Sequence, residues 1–203
     1  MHRFFSFLKT FLFTMACLWS LGCATSPPTK FYLLNPSAST SETETGLAQN
    51  HQRKTIRVDG VVVPGYLDRD EIVTRISENQ IHLADLDRWG EPLRNSLTNI
   101  LALNLSRQLP AKDFAVFPFK CPSPVDYQII VEIIRMDGSL NGGVQLTAQW
   151  SILEGKDSDL MVTKESSFKD SEAPTDYGEL VAAQSRLVEA LSREIAKSLK
   201  ANR

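Results

Sequence analysis

Residues that most often carry chemistry are scarce in this chain. Its 203 residues include three histidines and three cysteines. His51 and His82 are the two histidines beyond the first 22 residues, and neither has a cysteine or second histidine at metal-ligand spacing. No Gly-Lys-Ser/Thr phosphate loop and no Gly-x-Ser-x-Gly elbow occurs, and Gly142-Gly143 reads as a hairpin turn. Charge is balanced, 22 basic against 24 acidic residues, so no basic surface suits nucleic acid. Past residue 22 there is no apolar run long enough to span a bilayer. These absences argue against an enzyme, against a resident metal or cofactor, and against a multi-span membrane protein. A hydrolase would lack both nucleophile and base.

What is present begins at the N-terminus. Arg3 and Lys9 form a positive region, and Thr10–Leu21 is a charge-free, mostly apolar run of twelve residues. A helix needs roughly 20 residues to cross about 30 Å of hydrocarbon, so the run reads as the core of an export signal. Ser20-Leu21-Gly22-Cys23 follows. It resembles a bacterial lipobox, with Leu21 one place later than usual. Cleavage between Gly22 and Cys23 would free Cys23 for acylation, making covalent lipid on Cys23 the one attached group expected. Removing the first 22 of 203 residues leaves 181, and loss of Arg3 and Lys9 takes the net charge from −2 to −4. Cys17 leaves with the signal and Cys23 carries lipid. Cys121 then stands alone, with no intramolecular disulfide available.

Residues 23–30 read as a lipidated tether. Its seven residues after the cysteine reach at most about 24 Å, so the folded part should sit close to the bilayer. Residues 31–203 read as a single domain, with a Ser-, Thr- and Glu-rich flexible loop over 35–54. Strands are expected at 31–34, 56–63, 71–76, 80–83, 126–136, 144–153 and 160–168. The pair 126–136 and 144–153 should form a hairpin. In its second arm Val144, Leu146, Ala148, Trp150 and Ile152 alternate with Gln145, Thr147, Gln149 and Ser151. After Asp87, Trp89, Leu93, Leu97, Leu101 and Leu105 recur every four residues and predict a helix, with Pro92 near its start and Pro110 past its end. Asp176 and Glu179 form a capping-box pattern before a second stripe: Leu180, Leu187, Val188, Leu191, Ile195 and Leu199. The expected fold is α+β: a mostly antiparallel or mixed sheet of about six strands with two long amphipathic helices on one face.

Three clusters have more than one reading. Asp68-Arg69-Asp70-Glu71 offers carboxylates for acid–base work or a solvated loop of local ion pairs; neighbours in sequence rarely converge on one reacting atom. Asp85 and Asp87 read as the end of a strand and the start of a helix. Trp89 and Trp150 form either a ligand shelf or, at their spacing, core packing.

Several blocks together carry a family resemblance: Gly22-Cys23, Phe31-Tyr32-Leu33-Leu34, Val61-Val62-Val63-Pro64-Gly65-Tyr66-Leu67-Asp68-Arg69, Arg88-Trp89-Gly90-Glu91-Pro92-Leu93, and Leu146-x-Ala148-x-Trp150. Their order resembles the auxiliary lipoproteins of ABC-type transporters, the PqiC/YmbA family, over nearly all the chain after the signal. Gly90 stands where the pattern has Ala. The resemblance implies a non-enzymatic lipoprotein on the periplasmic face of the outer membrane, supporting envelope integrity. It would dock a periplasm-spanning MCE-domain protein of a lipid transport system. Ala24 rather than Asp after the cysteine implies the same sorting. A homo-oligomeric ring follows by analogy with ring-shaped partners. Pro64, Gly65, Tyr66, Leu67, Asp68 and Arg69 are the candidate partner contact, because Tyr66 and Leu67 are apolar residues on an expected exposed turn; the other reading has the two tucked against the sheet edge. Two other classes stay open: a lipoprotein that itself cradles a lipid, which requires an apolar pocket between helices and sheet, and a structural envelope lipoprotein.

Overall fold

Alternating and β-branched stretches form the strands of the computed structural model, which describes residues 27–36, 53–110, 114–120, 124–155 and 159–201. In chain order they are β1 (Lys30–Tyr32), β2 (Lys54–Val58), β3 (Glu71–Ser77), β4 (Gln80–Trp89), helix α1 (Leu93–Gln108), β5 (Phe114–Pro118), β6 (Tyr127–Gly138), β7 (Val144–Glu154), β8 (Asp159–Asp170) and helix α2 (Tyr177–Ala201). The export signal, Gly22, Cys23, most of the 35–54 loop, His51 and Cys121 lie outside the described residues. Lys54, placed at the end of that loop by the sequence, opens β2.

The class is α+β, but among the described residues eight strands make two sheets where about six strands in one were expected. A five-stranded sheet runs β5-β2-β6-β7-β8, and a three-stranded sheet runs β1-β4-β3. Both are mixed. β2 lies parallel to β5 and β6, and β1 parallel to β4; the remaining pairs are antiparallel. The chain beyond β2 keeps to β6: Val62 bridges Glu132, donating to Val131 O and accepting from Ile133 N at 3.0 and 2.8 Å.

The β6–β7 hairpin follows its alternation. Val144, Leu146, Ala148, Trp150 and Ile152 are buried against the helices, while the Gln and Ser/Thr positions between them are at least partly exposed. Asn141, with φ 63°, takes the left-handed turn position, which Asn tolerates better than most residues. The outer face is not uniformly polar. Val62, Ile130 and Ile134 are exposed there beside Glu132 and Gln149.

Both helices cover the inner face of the five-stranded sheet, α1 over β2 and β5 and α2 over β6, β7 and β8. In α2 the apolar stripe is buried as its spacing requires. The start follows the expected cap only in part. Glu179 N donates to Asp176 Oδ1 at 2.8 Å, but the Glu179 carboxylate turns to the amide and hydroxyl of Thr175, at 2.7 and 2.9 Å.

Helix α1 departs from a simple amphipathic stripe. It begins at Leu93, with Pro92 as the cap residue, because the chain up to Trp89 is still paired in β4. Asp85 and Asp87 are therefore strand residues, and Trp89 ends a strand. Ser96, Thr98 and Asn104 are buried with the leucines, since α1 is covered by the sheet on one side and α2 on another. Thr98 Oγ1 donates to Arg94 O at 2.8 Å and accepts from Val61 N at 3.0 Å, tying the extension of β2 to the helix. Lys200 at the end of α2 donates to Gln108 O at 2.8 Å, meeting a free carbonyl at the end of α1.

Candidate functional site

The two sequence blocks around Tyr66 and Trp89 come together at one end of the three-stranded sheet. The parallel register sets Lys30 beside Asp87, Phe31 beside Arg88 and Tyr32 beside Trp89. Gly90 N continues the ladder to Tyr32 O, and Trp89 N donates to Asp70 O, both at 2.8 Å. Gly90 is small for a visible reason. A Cβ there would stand 3.1 Å from Leu33 Cδ2, so even alanine would need Leu33 to yield slightly.

The loop 64–69 is a fixed turn. Leu67 N donates to Pro64 O at 2.8 Å. Its two apolar side chains do not face outward; of the two poses the sequence left open, they take the inward one. Leu67 is buried in the core, and Tyr66 is half-buried with its hydroxyl donating to Asp137 at 3.1 Å. Burial of apolar area and one hydrogen bond both favour this inward pose. The loop's outward residues are Gly65 and Asp68. Asp68 pairs with Arg94 at the start of α1, and Arg69 pairs with Glu71 at 3.0 Å. The acidic run 68–71 is thus a set of local ion pairs rather than carboxylates converging on one point.

Behind this loop lies the most buried charge described. The Asp137 side chain is inaccessible to solvent at the end of β6. One oxygen accepts from Arg75 Nη2 and Nε at 2.7 and 3.0 Å, and the other from Arg135 Nε at 2.8 Å. Burial alone would raise this carboxyl; the two arginines outweigh it and hold it below the ordinary aspartate value. A neighbouring contact works the other way on a phenol. Burial, then the 2.6 Å hydrogen bond to Asp87, pushes Tyr32 up to about 12.

A surface cavity of about 350 Å³ opens between β1 and the β4–α1 turn, lined by Thr29, Phe31, Asp70, Arg88, Trp89 and Glu91 among others. A second, of about 370 Å³, lies at the start of α2 near Glu179 and Arg186. Neither lies between the helices and the five-stranded sheet. There Ile56, Leu97, Leu101, Leu105, Ile129 and Leu146 are fully buried against one another. Trp150 and Trp89 are core residues, and Trp150 Nε1 donates to buried Ser166 at 3.0 Å. His82 sits in β4 opposite Thr74. Among the described residues no group of three or more His, Cys, Asp or Glu is placed to hold a metal. No helix among them is long and apolar enough to cross a membrane. What the region offers chemically is a corner of ion pairs and hydrogen bonds around buried Asp137.

Comparison with known proteins bears on the family and the fold. Residues 32–196 match the family model described as ABC-type transport auxiliary lipoprotein component. The intermembrane transport lipoprotein PqiC of Escherichia coli K12 is 29% identical over 143 residues, covering 70% of this chain and 73% of that protein. The protein of the same name from Shigella flexneri matches equally. Among solved structures, an uncharacterized protein superposes with a TM-score of 0.69 at 22% identity, over 85% of this chain and 99% of that one. A Xanthomonas campestris protein gives 0.66 at 12% identity, over 83% and 93%. At these identities the two structures bear on the fold.

Proposed function

As the chain belongs to the family of ABC-type transport auxiliary lipoprotein components, a transport family and not an enzyme family, we propose that it serves as a lipid-anchored subunit on the periplasmic face of the outer membrane. In this reading it docks the periplasm-spanning MCE-domain protein of a lipid transport system and so supports envelope integrity. The observation that carries the reading is the family match over residues 32–196, which runs through both sheets and most of α2. The Gly22-Cys23 pair after an export-type signal supports the anchor, with cleavage between the two and acyl chains on Cys23. Each buried CH₂ contributes about 0.8 kcal/mol, so more than one chain holds the protein firmly.

The docking piece needs a rigid surface, and the loop from Pro64 to Arg69 supplies one. Tyr66 and Leu67 serve as its footing, and Gly65, Asp68 and Arg69 as its contact with the partner. Arrangement of several copies as a ring on the membrane belongs to the same proposal. The test is co-purification of tagged full-length protein from solubilised envelopes, followed by identification of what comes with it. The expected companion is an MCE-domain protein, recovered less well with Asp68→Lys. Recovery of the tagged chain with no such protein from intact envelopes contradicts the docking role.

A further inference from the structure

The strand nearest the proposed anchor turns two large apolar side chains to solvent. Phe31 is 67% exposed and Leu33 51%, while Leu34 is buried and Tyr32 packs partly against the core. Both outward residues flank one cavity. Phe31 lines it, and Leu33 leans over Gly90, which lines it too. The cavity carries charge of both signs, Arg88 against Asp70 and Glu91. Arg88 Nε is shielded from solvent and has no hydrogen-bond partner among the described residues. A shielded guanidinium nitrogen without a partner is short of an anionic oxygen.

We propose that this corner docks on the phospholipid surface itself. Phe31 and Leu33 enter the boundary between headgroups and acyl chains. The cavity beside them meets a zwitterionic headgroup, with Arg88 toward phosphate and Asp70 and Glu91 toward the ammonium. The inference rests on the anchor proposed above, because the argument for the occupant is chain length. Phe31 lies eight positions beyond Cys23, so at most about 29 Å of chain lies between an acylated cysteine and this residue's backbone. Tethering at that range keeps the corner at high effective concentration over the bilayer, and weak apolar contacts then suffice. Other exposed apolar residues lack this placement. Leu160 lies at the start of β8, and Val62, Ile130 and Ile134 on the outer face of the five-stranded sheet.

Depth in the bilayer tests it directly. Full-length lipidated protein with Cys121→Ser receives Phe31→Cys, Leu33→Cys or, as a control, Leu160→Cys. Each is labelled with an environment-sensitive dye and reconstituted in vesicles of phosphatidylethanolamine and phosphatidylglycerol, with and without a lipid-borne quencher. The expected result is a blue shift and quenching at 31 and 33, with neither at 160. If the protein floats with vesicles but all three dyes report water alike, the docking face is overturned and the anchor stands. A dye response at 31 and 33 that requires added envelope protein overturns it in favour of a protein partner. Failure of the unlabelled protein to float overturns the anchor, and this inference with it.

Discussion

Arg75 of β3 donates both Nη2 and Nε to a single carboxylate oxygen of Asp137 in β6, at 2.7 and 3.0 Å. The pair bridges the two sheets at a point where the aspartate side chain is fully buried. The three-stranded sheet, the loop 64–69 and the cavity at β1 are held to the rest of the molecule partly through this contact.

Removing the carboxylate leaves two arginines facing a buried gap. Asp137→Ala should destabilise the fold by about 3 kcal/mol, at the low end for a broken buried pair because Arg75 and Arg135 are partly exposed. Chemical denaturation reads the loss, and an effect below about 1 kcal/mol would make the contact peripheral.

The same carboxyl sets part of the acid response. Its folded value lies below its ordinary one, so folding favours the ionised form. The contribution is fully present above the unfolded value of about 3.9 and disappears as pH falls through the lower folded value. Asp137→Asn should flatten the stability profile over that window and leave its slope near neutrality unchanged.

Alkaline titration offers an independent check. All four tyrosines, Tyr32, Tyr66, Tyr127 and Tyr177, are raised, each with burial as the largest cause. Ultraviolet titration of the native protein should show less phenolate at the ordinary value of about 10 than the denatured chain, which titrates there. Because folding favours the protonated phenols, stability falls as pH rises from about 10 through the folded values. A native curve matching the denatured one contradicts the burial described.

The cap of α2 should be separable from the rest. Asp176→Ala removes the 2.8 Å bond to Glu179 N and should cost about 1 kcal/mol. Thr175→Ala, which loses only a hydroxyl contact to Glu179, should cost less. Thermal melts of the two variants rank them.

Where the sequence could be read and where it could not follows from the range of the interactions. The β6–β7 hairpin and α2 were legible because period-2 and period-3.6 burial is written locally. Strand β5 was not: Phe114–Pro118 is five residues with no alternation, and it pairs with β2, some 60 residues earlier. Strand β4 runs past Asp85 and Asp87 because β1 pairs alongside and Tyr32 donates to Asp87. Charge at those positions read as a boundary. The buried polar residues of α1 were hidden for a similar reason, since Ser96, Thr98 and Asn104 are buried with the leucines and Thr98 holds Val61, 37 residues away. At the loop 64–69, composition left both an outward and a tucked pose open for the apolar groups. Tyr66 is held inward by Asp137, 71 residues away, and Leu67 by burial in the core. The division into two sheets likewise depends on pairings no local pattern encodes.

The account depends most on fatty acids at Cys23. Intact-mass and peptide mass spectrometry of the protein extracted from membranes reads this in one measurement. It should find a chain beginning at Cys23 and carrying a thioether-linked diacylglycerol. A chain that begins elsewhere, or whose Cys23 bears no lipid, contradicts the anchor and the membrane-seated docking role built on it.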